Sequence, residues 1–341
     1  MNNKVVFFSV DRLGDYLIRS NVIKQISDKF QYSEIVCSEK NYNLISTQRF
    51  FSKVLLFDKS KLINRIRFFF LFFLKKYDAC IVFDGKNISA LLSIFVRSKF
   101  KFVFIYKKKG MLNYIIHKLL LKLFKILNIN YEFLNNRDLI EENNYDNYPA
   151  KYKILNKYFN NLNNSTYYLT DNNFTDYDYL SNKFILIHLD EKFDDIKNIE
   201  NSFQKSLINF QKEIDKNIIL SSYKNRFNYY KKLNFEKINL FNLKKKSLIL
   251  PKISIVENLP LEYFQKLIKN SYINISCHSG YFVHTSLTFN KKTIDIINKS
   301  DEIWLNTWIE KNNNYKIIYK SSINNNIDIS IIFSELTNEI K

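Results

Sequence analysis

The stretch SVDRLGDYLIRSNVIKQI, residues 9 to 26, follows the short apolar run VVFF (Val5 to Phe8) and decides how the chain is read. VVFF is β-prone, and Tyr16, Leu17, Val22, Ile23 and Ile26 recur near helical spacing, so Gly14-Asp15 sits where a strand becomes a helix. In a parallel α/β sheet such junctions lie at the carboxyl ends of strands, where ligands bind. Gly14 there is read as a backbone turn that permits positive φ and close approach of a ligand to main-chain N–H groups. The chain has only 4 Gly, which makes each one informative.

Working outward, strands are expected near 4–10, 33–37, 53–57, 79–83 and 101–106, with helices near 15–30, 41–48, 60–76, 87–97 and 110–128. This is the βαβ alternation of a doubly wound parallel sheet. Residues 135–182 are rich in Asn, Asp and Tyr and include Pro149, so the domain boundary is expected there, although 151–160 could be a helix. A second alternation starts with KFILIHL (Lys183 to Leu189), followed by a helix near 200–214, the strand NIILSS (217–222), a helix near 225–234 and the strand KINLF (237–241). After Pro260 come a helix, the strand YINISC (272–277), a helix at 281–289, the strand KTIDII (292–297) and a helix closing the chain. The fold class is therefore α/β, with two Rossmann-like doubly wound domains, 1–165 and 166–327, facing a central cleft, and a closing helix in 328–341.

A chain of 341 residues with 46% hydrophobic residues is long enough for two ordinary cores. The N-terminus lacks the pattern of a signal peptide, because Ser9, Asp11 and Arg12 interrupt its early apolar run. Cys37, Cys80 and Cys277 are scattered, each at the end of an apolar run, and read as reduced core cysteines of a cytoplasmic protein. They have no metal spacing.

The formal net charge is +19, and heavy use of Lys, Asn, Ile, Phe and Tyr supplies lysines by composition alone. Composition does not explain clustering: Lys59 to Lys76 holds six Lys or Arg and no acid, and Arg97 to Lys125 holds nine and no acid. Such clusters suit anionic lipid, a phosphorylated glycan or nucleic acid. The last is excluded by the lack of helix-turn-helix spacing, an RNP motif or a zinc set. The run Phe68 to Leu74 is apolar nearly all round but far short of the ~20 residues that span a bilayer. MLNYIIHKLLLKLFKILN (111–128) places Leu112, Ile115, Leu119, Leu123 and Ile126 on one side and Lys118, Lys122 and Lys125 on another. That is a basic amphipathic helix suited to an anionic membrane surface, or equally a helix packed on the sheet with solvated lysines.

Gly85 and Gly280 follow expected strands or their exit loops, and Gly110 precedes a helix. Neither G-x-G-x-x-G nor G-x-x-x-x-G-K-[ST] occurs, so an NAD enzyme and a P-loop kinase are excluded. In NISCHSGYFVHTSLTFNKKTIDI (274–296), His278, Ser279 and Gly280 open a helix that carries His284 and Thr285. Free N–H groups at such a start suit a phosphate, with the Ser279 hydroxyl as an added donor. The plain alternatives are a helix N-cap for Ser279 and a packed core histidine for His284. In ILIHLDEKFDDIKN (185–198), His188, Asp190, Glu191, Asp194 and Asp195 lack cation-loop spacing and read as a solvated loop, while Lys192 can neutralise a leaving phosphate.

Together these three strand exits resemble bacterial heptosyltransferases, glycosyltransferase family 9, of the GT-B fold. RLGDYLIRSNVIKQI resembles the family's N-terminal R-x-G-D motif, SCHSGYFVHTSLTFNKKTIDI its C-terminal D-T-G-x-x-H motif, and HLDEKF the loop bearing a phosphate-binding Lys. The resemblance implies Asp15 as general base on the acceptor hydroxyl. It implies Lys192, Ser279 and Gly280 at the donor diphosphate, and His284 as the helix histidine, one residue later than usual. Three single positions and one three-residue stretch depart from the pattern. His278 replaces an Asp, Asn21 and Lys292 replace prolines, and Ser222, Tyr223 and Lys224 stand where a ribose-binding acid is expected. His278 can add a donor to the phosphate.

The implied activity is inverting, metal-independent transfer of a sugar, heptose among the candidates, from a nucleotide-diphosphate donor to a lipopolysaccharide or other envelope glycan. No cofactor is implied, since the nucleotide sugar is a substrate. The partners implied are that donor, an anionic glycan or glycolipid acceptor and the inner face of the cytoplasmic membrane, with no nucleic acid. The alternative is a catalytically silent GT-B protein serving as a scaffold in envelope glycan assembly.

Overall fold

The structure is a computed structural model that describes residues 3–58, 62–107, 109–135, 139–140, 151–162, 183–223, 227–243, 250–309, 313–321 and 326–341. Lys59 and Lys108 of the basic runs, Pro149 with most of the expected boundary segment, and Lys224 lie outside these residues. The chain divides into two compact units: Met1–Thr170 with Ile303–Glu310, and Asp171–Glu302 with Lys311–Lys341.

In the first unit the chain runs β1 (Lys4–Ser9), α1 (Leu13–Ser27), β2 (Tyr32–Cys37), α2 (Glu39–Ile45), β3 (Lys53–Leu56), α3 (Leu62–Leu74), β4 (Lys76–Val82), α4 (Asn87–Phe95), β5 (Arg97–Lys107), α5 (Met111–Ile126) and β6 (Asn130–Asn135). The six strands form one sheet in the order β3-β2-β1-β4-β5-β6, every pairing parallel. Right-handed crossovers put α1 and α2 on one face and α3, α4 and α5 on the other. The second face buries Phe68 and Phe72 of α3, Ala90 and Leu92 of α4, and Leu120 and Phe124 of α5 against Phe8, Val82 and Val103. On the first face, Tyr152 packs its ring against Phe83 and Phe104 at 5.6 and 5.0 Å. Tyr152 comes from the segment the sequence leaves open to a helix; it is a 3-10 turn, Tyr152–Lys157.

From there the chain runs β7 (Phe184–Leu189), α6 (Ile199–Ile214), β8 (Asn217–Ser222), β9 (Glu236–Lys237), α7 (Leu240–Leu243), β10 (Ile253–Glu257), α8 (Leu261–Asn270), β11 (Ile273–Ser276), α9 (Gly280–Thr288), β12 (Lys292–Asn298), α10 (Glu302–Asn306), β13 (Tyr315–Ser321) and α11 (Ile329–Ile340); α10 belongs from Ile303 to the first unit, and the other elements form the second unit. Its seven parallel strands order as β13-β12-β11-β7-β8-β10-β9. Phe333 of α11 meets Phe203 and Phe210 of α6 at 5.7 and 5.3 Å between ring centres. The closing helix is thus part of this unit's own core.

Three sequence expectations are corrected. Of the helix expected near 225–234, the described residues form only a 3-10 turn at Asn228–Lys232. The strand at 237–241 shrinks to Glu236–Lys237, after which the chain turns into α7 to bury Ile238 and Leu243. Strands β6, β10 and β13 are additional. Each joins its sheet through non-local pairing that local pattern does not encode.

Phe72 is fully buried and touches the rings of Phe8, Phe68 and Tyr77. Phe72→Ala is expected to cost about 3–5 kcal/mol of the first unit's stability, measured by urea unfolding of the full chain.

Candidate active site

An open parallel sheet binds ligands outside the carboxyl ends of its strands, at the point where the strand order reverses. In the first unit that point lies between β1 and β4. There Asp84, buried just past β4, accepts the N–H of Val10 at 3.0 Å, the N–H of Lys86 at 2.9 Å and the Ser89 hydroxyl at 2.6 Å. The Lys86 ammonium donates back to the Val10 carbonyl at 2.5 Å. Arg19, on α1 and almost wholly buried, pairs with buried Asp11 and donates to the Phe83 carbonyl at 2.5 Å. The loop between β1 and α1 is therefore clamped from both ends. Sequence reasoning missed this clamp, since nothing local distinguishes Arg19 from a solvated helix arginine.

Clamping moves the start of α1 to Leu13, so Gly14 is the second helical residue. The expected turn at Gly14 is corrected: Val10 to Arg12 turn the chain. Left-handed glycines occur instead at Gly85 (φ 66°) and Gly110 (φ 104°). A Cβ on Gly85 would meet the Tyr106 ring at 2.5 Å. Asp15 is half-buried in the first turn of α1 and accepts the Arg12 N–H at 3.3 Å. Burial raises its pKa above the ordinary carboxylate value; the Arg12 N–H and the charges of Lys86 and Arg12 offset this in part. Asp15 therefore has a capping duty as well as the raised proton affinity that suits a base.

In the second unit the order reverses between β7 and β11. The exit of β11 is held by Asp295, buried in the adjacent strand β12. One carboxylate oxygen accepts the His278 N–H at 2.7 Å and the other bonds His278 Nδ1 at 2.6 Å and the Tyr315 hydroxyl at 2.9 Å. His278 adopts the left-handed region, φ 48°, which costs a residue bearing a Cβ about 1–2 kcal/mol. With Nδ1 on Asp295, Nε2 is the ring atom left for a further partner.

From the exit of β7, exposed Lys192 donates to the His278 carbonyl at 2.5 Å. Its own carbonyl accepts from the ammonium of Lys320, a buried lysine on β13 that sequence reasoning missed. Ser279 occupies the N-cap of α9 without a capping bond from its side chain, and Gly280 starts the helix. A Cβ on Gly280 would meet nothing within 4 Å, so the space beside the helix start is open. The hydroxyls of Ser222 and Ser276, the last residues of β8 and β11, are buried without a hydrogen-bond partner among the described residues.

The structure thus brings Lys192, His278, Ser279 and Gly280 together. His284 lies deeper in α9, and burial, with the charge of His278, pushes its pKa down to about 3. It is a neutral buried side chain and carries no positive charge. His188 is likewise packed, its Nδ1 3.1 Å from the Ser221 hydroxyl and its ring stacked on Phe282 at 5.3 Å. Asp190 corrects the solvated-loop reading: it is buried and accepts the Lys192 N–H at 3.1 Å. Glu191 and Asp195 are exposed, and half-buried Asp194 accepts from Asn228 at 2.8 Å. Among the described residues no group of three or more His, Cys, Asp or Glu could hold a metal ion. Lys118, Lys122 and Lys125 stand exposed on α5, far along the chain from either strand exit.

No protein-family model and no curated protein matches the sequence. Solved structures do. A glycosyltransferase family 9 protein from Veillonella parvula aligns over 99% of this chain and 96% of its own at 9% identity, with a TM-score of 0.68. The E. coli ADP-heptose lipopolysaccharide heptosyltransferase II aligns over 99% and 98% at 10% identity, TM-score 0.61. E. coli heptosyltransferase WaaC with ADP aligns over 99% and 98% at 10% identity, TM-score 0.56. The chain has the heptosyltransferase-like GT-B fold in a divergent sequence.

Burial pushes the Asp190 pKa up to about 6, with Lys192 offsetting part of the rise. Between pH 4 and this value the folded chain keeps a proton that the unfolded chain releases, so this group's contribution to stability falls as pH rises through that window. Asp190→Asn keeps an acceptor for the Lys192 N–H. It is expected to stabilise the protein at pH 7 by up to about 3 kcal/mol and to change little near pH 4, read from unfolding free energies at both pH values.

Proposed function

We propose that the protein is a glycosyltransferase that moves a sugar, heptose being the leading candidate, from a nucleotide-diphosphate donor to an envelope glycan such as lipopolysaccharide. The observation that carries this reading is the group at the β11 exit. Lys192, the Ser279 hydroxyl and the N–H groups at the start of α9 gather donors beside open space, which suits a diphosphate. The unpartnered hydroxyls of Ser222 and Ser276 offer further polar contacts to the rest of the nucleotide.

In the proposed reaction the acceptor oxygen attacks the anomeric carbon as Asp15 takes its proton. The bond from that carbon to the diphosphate oxygen breaks, and the diphosphate carries away the electron pair. Attack from the face opposite the leaving group inverts the anomeric centre. Fixed positive potential from Lys192, Lys320 and the helix start stabilises the departing charge, so the proposal needs no metal. We place the acceptor as an anionic glycan or glycolipid, reached by a cytoplasmic protein at the inner face of the membrane.

A second reading, a catalytically silent GT-B scaffold, is favoured by the capping bond of Asp15 and by the missing acid after β8. Titration calorimetry with a panel of nucleoside diphosphates and nucleotide sugars separates the two. Binding of one nucleotide supports the enzyme, and binding of none supports the scaffold.

Lys192→Gln, at an exposed position, should weaken nucleoside diphosphate binding about 10- to 100-fold, the worth of one charge-assisted hydrogen bond. Asp15→Asn retains an acceptor for the Arg12 N–H and should leave folding and donor binding unchanged, while transfer falls by about 10²–10⁴-fold. Transfer within about threefold of the unaltered protein would remove Asp15 from the role of base.

A further inference from the structure

Helix α5 has two apolar sides. Leu120 and Phe124 face the sheet and are buried, whereas Leu119, Leu123 and Ile126 are 59%, 40% and 66% exposed. The sequence reading assigned Leu119, Leu123 and Ile126 to the single apolar side of an amphipathic helix; the structure packs a different set inward. Lys118, Lys122 and Lys125 border the outward set and, with Ile115, Leu119 and Tyr131, line one groove along the helix. Helix α3 repeats the pattern: Phe68 and Phe72 are buried, and Phe70, Phe73 and Leu74 are 57%, 53% and 75% exposed. Both helices pack on the same face of the first sheet. Single exposed apolar side chains are ordinary, but rows of them on two helices of one sheet face mark a contact surface.

We infer that the outer face of α3 and α5 is the surface by which this protein docks on an anionic lipid bilayer. Charge complementarity chooses the occupant. Lys118, Lys122 and Lys125 line the groove with no acid beside them in its lining, so a second copy placed on the same face about a two-fold axis would set like charges together. An anionic bilayer offers phosphate to the lysines and acyl chain to the leucines and phenylalanines in one surface. No helix among the described residues is long and apolar enough to cross a membrane, so the contact is peripheral. The inference deepens the proposed place at the inner membrane face and rests on that reading for the choice of membrane alone.

The test is sedimentation of the full chain, without donor or acceptor, with vesicles of phosphatidylcholine alone or containing phosphatidylglycerol. Binding is expected to the anionic vesicles and to weaken as salt rises. Replacing Lys118, Lys122 and Lys125 together with Gln should lower it about a hundredfold, each lysine near an anionic surface being worth about fivefold. The pair Leu119→Ser and Ile126→Ser, exposed and so compatible with folding, should lower it at least tenfold with the circular dichroism spectrum unchanged. Equal sedimentation with both vesicle types, or none, overturns the inference. So does concentration-dependent self-association that the serine pair abolishes, which would make this face an interface between copies. Because no transfer is measured, loss of lipid binding leaves the glycosyltransferase reading intact, and failure of transfer leaves the docking surface intact.

Discussion

Where a central strand leaves its sheet, the next backbone N–H and C=O groups have no ladder partner, and in both units a buried carboxylate and a lysine take them up. Past β1, Val10 gives its N–H to Asp84 and its carbonyl to Lys86. Past β11, His278 gives its N–H to Asp295 and its carbonyl to Lys192. A buried backbone group without a partner costs as much as a lost hydrogen bond, so these pairs decide the path of the loops at both strand-order reversals. Asp15, Ser279 and Gly280 follow directly from those loops, and Lys192 reaches the second of them from the exit of β7.

The two clamps leave different chemistry behind them. In the first unit the clamped loop ends in a helix whose first turn carries Asp15, with burial raising its proton affinity and Lys86 and Arg12 holding the rise in check. In the second, the clamp holds His278 in the left-handed region and directs its Nδ1 to Asp295. Strained backbone of this kind persists only where its surroundings over-determine it, and here two hydrogen bonds accepted by one carboxylate do so. His278 is where the resemblance expects an Asp, and Asp295 restores a carboxylate one strand over. The position has exchanged an acceptor at the strand exit for an imidazole backed by one.

The basic composition divides along the same lines. Lys86 and Lys320 are spent on carbonyls inside the units and shape the loops. Lys118, Lys122 and Lys125 face outward beside exposed leucines. A net charge of +19 therefore combines structural lysines with a surface field, and only burial tells one from the other.

Alternation of apolar runs with helical spacing was enough to establish an α/β chain with two parallel sheets, because a strand buried on both faces reads as a continuous apolar run and its crossover helix as a 3.6-residue period. The strand exits at Lys192 and His278-Ser279-Gly280 were legible for the same reason, whereas the turn expected at Gly14 falls at Val10 to Arg12, ahead of α1. What the sequence could not decide was which polar residues the fold would bury. Arg19 on Asp11, His278 on Asp295, Lys320 on the Lys192 carbonyl and the neutral state of His284 all depend on partners distant in the chain or on depth below the surface. The inward side of α5 was equally hidden, since a helix with apolar residues on two sides shows which one is covered only once a sheet packs against it. Local pattern encodes which elements form; the pairing of buried charges and the face each helix turns inward are set by tertiary packing, where desolvation makes each unpaired group costly.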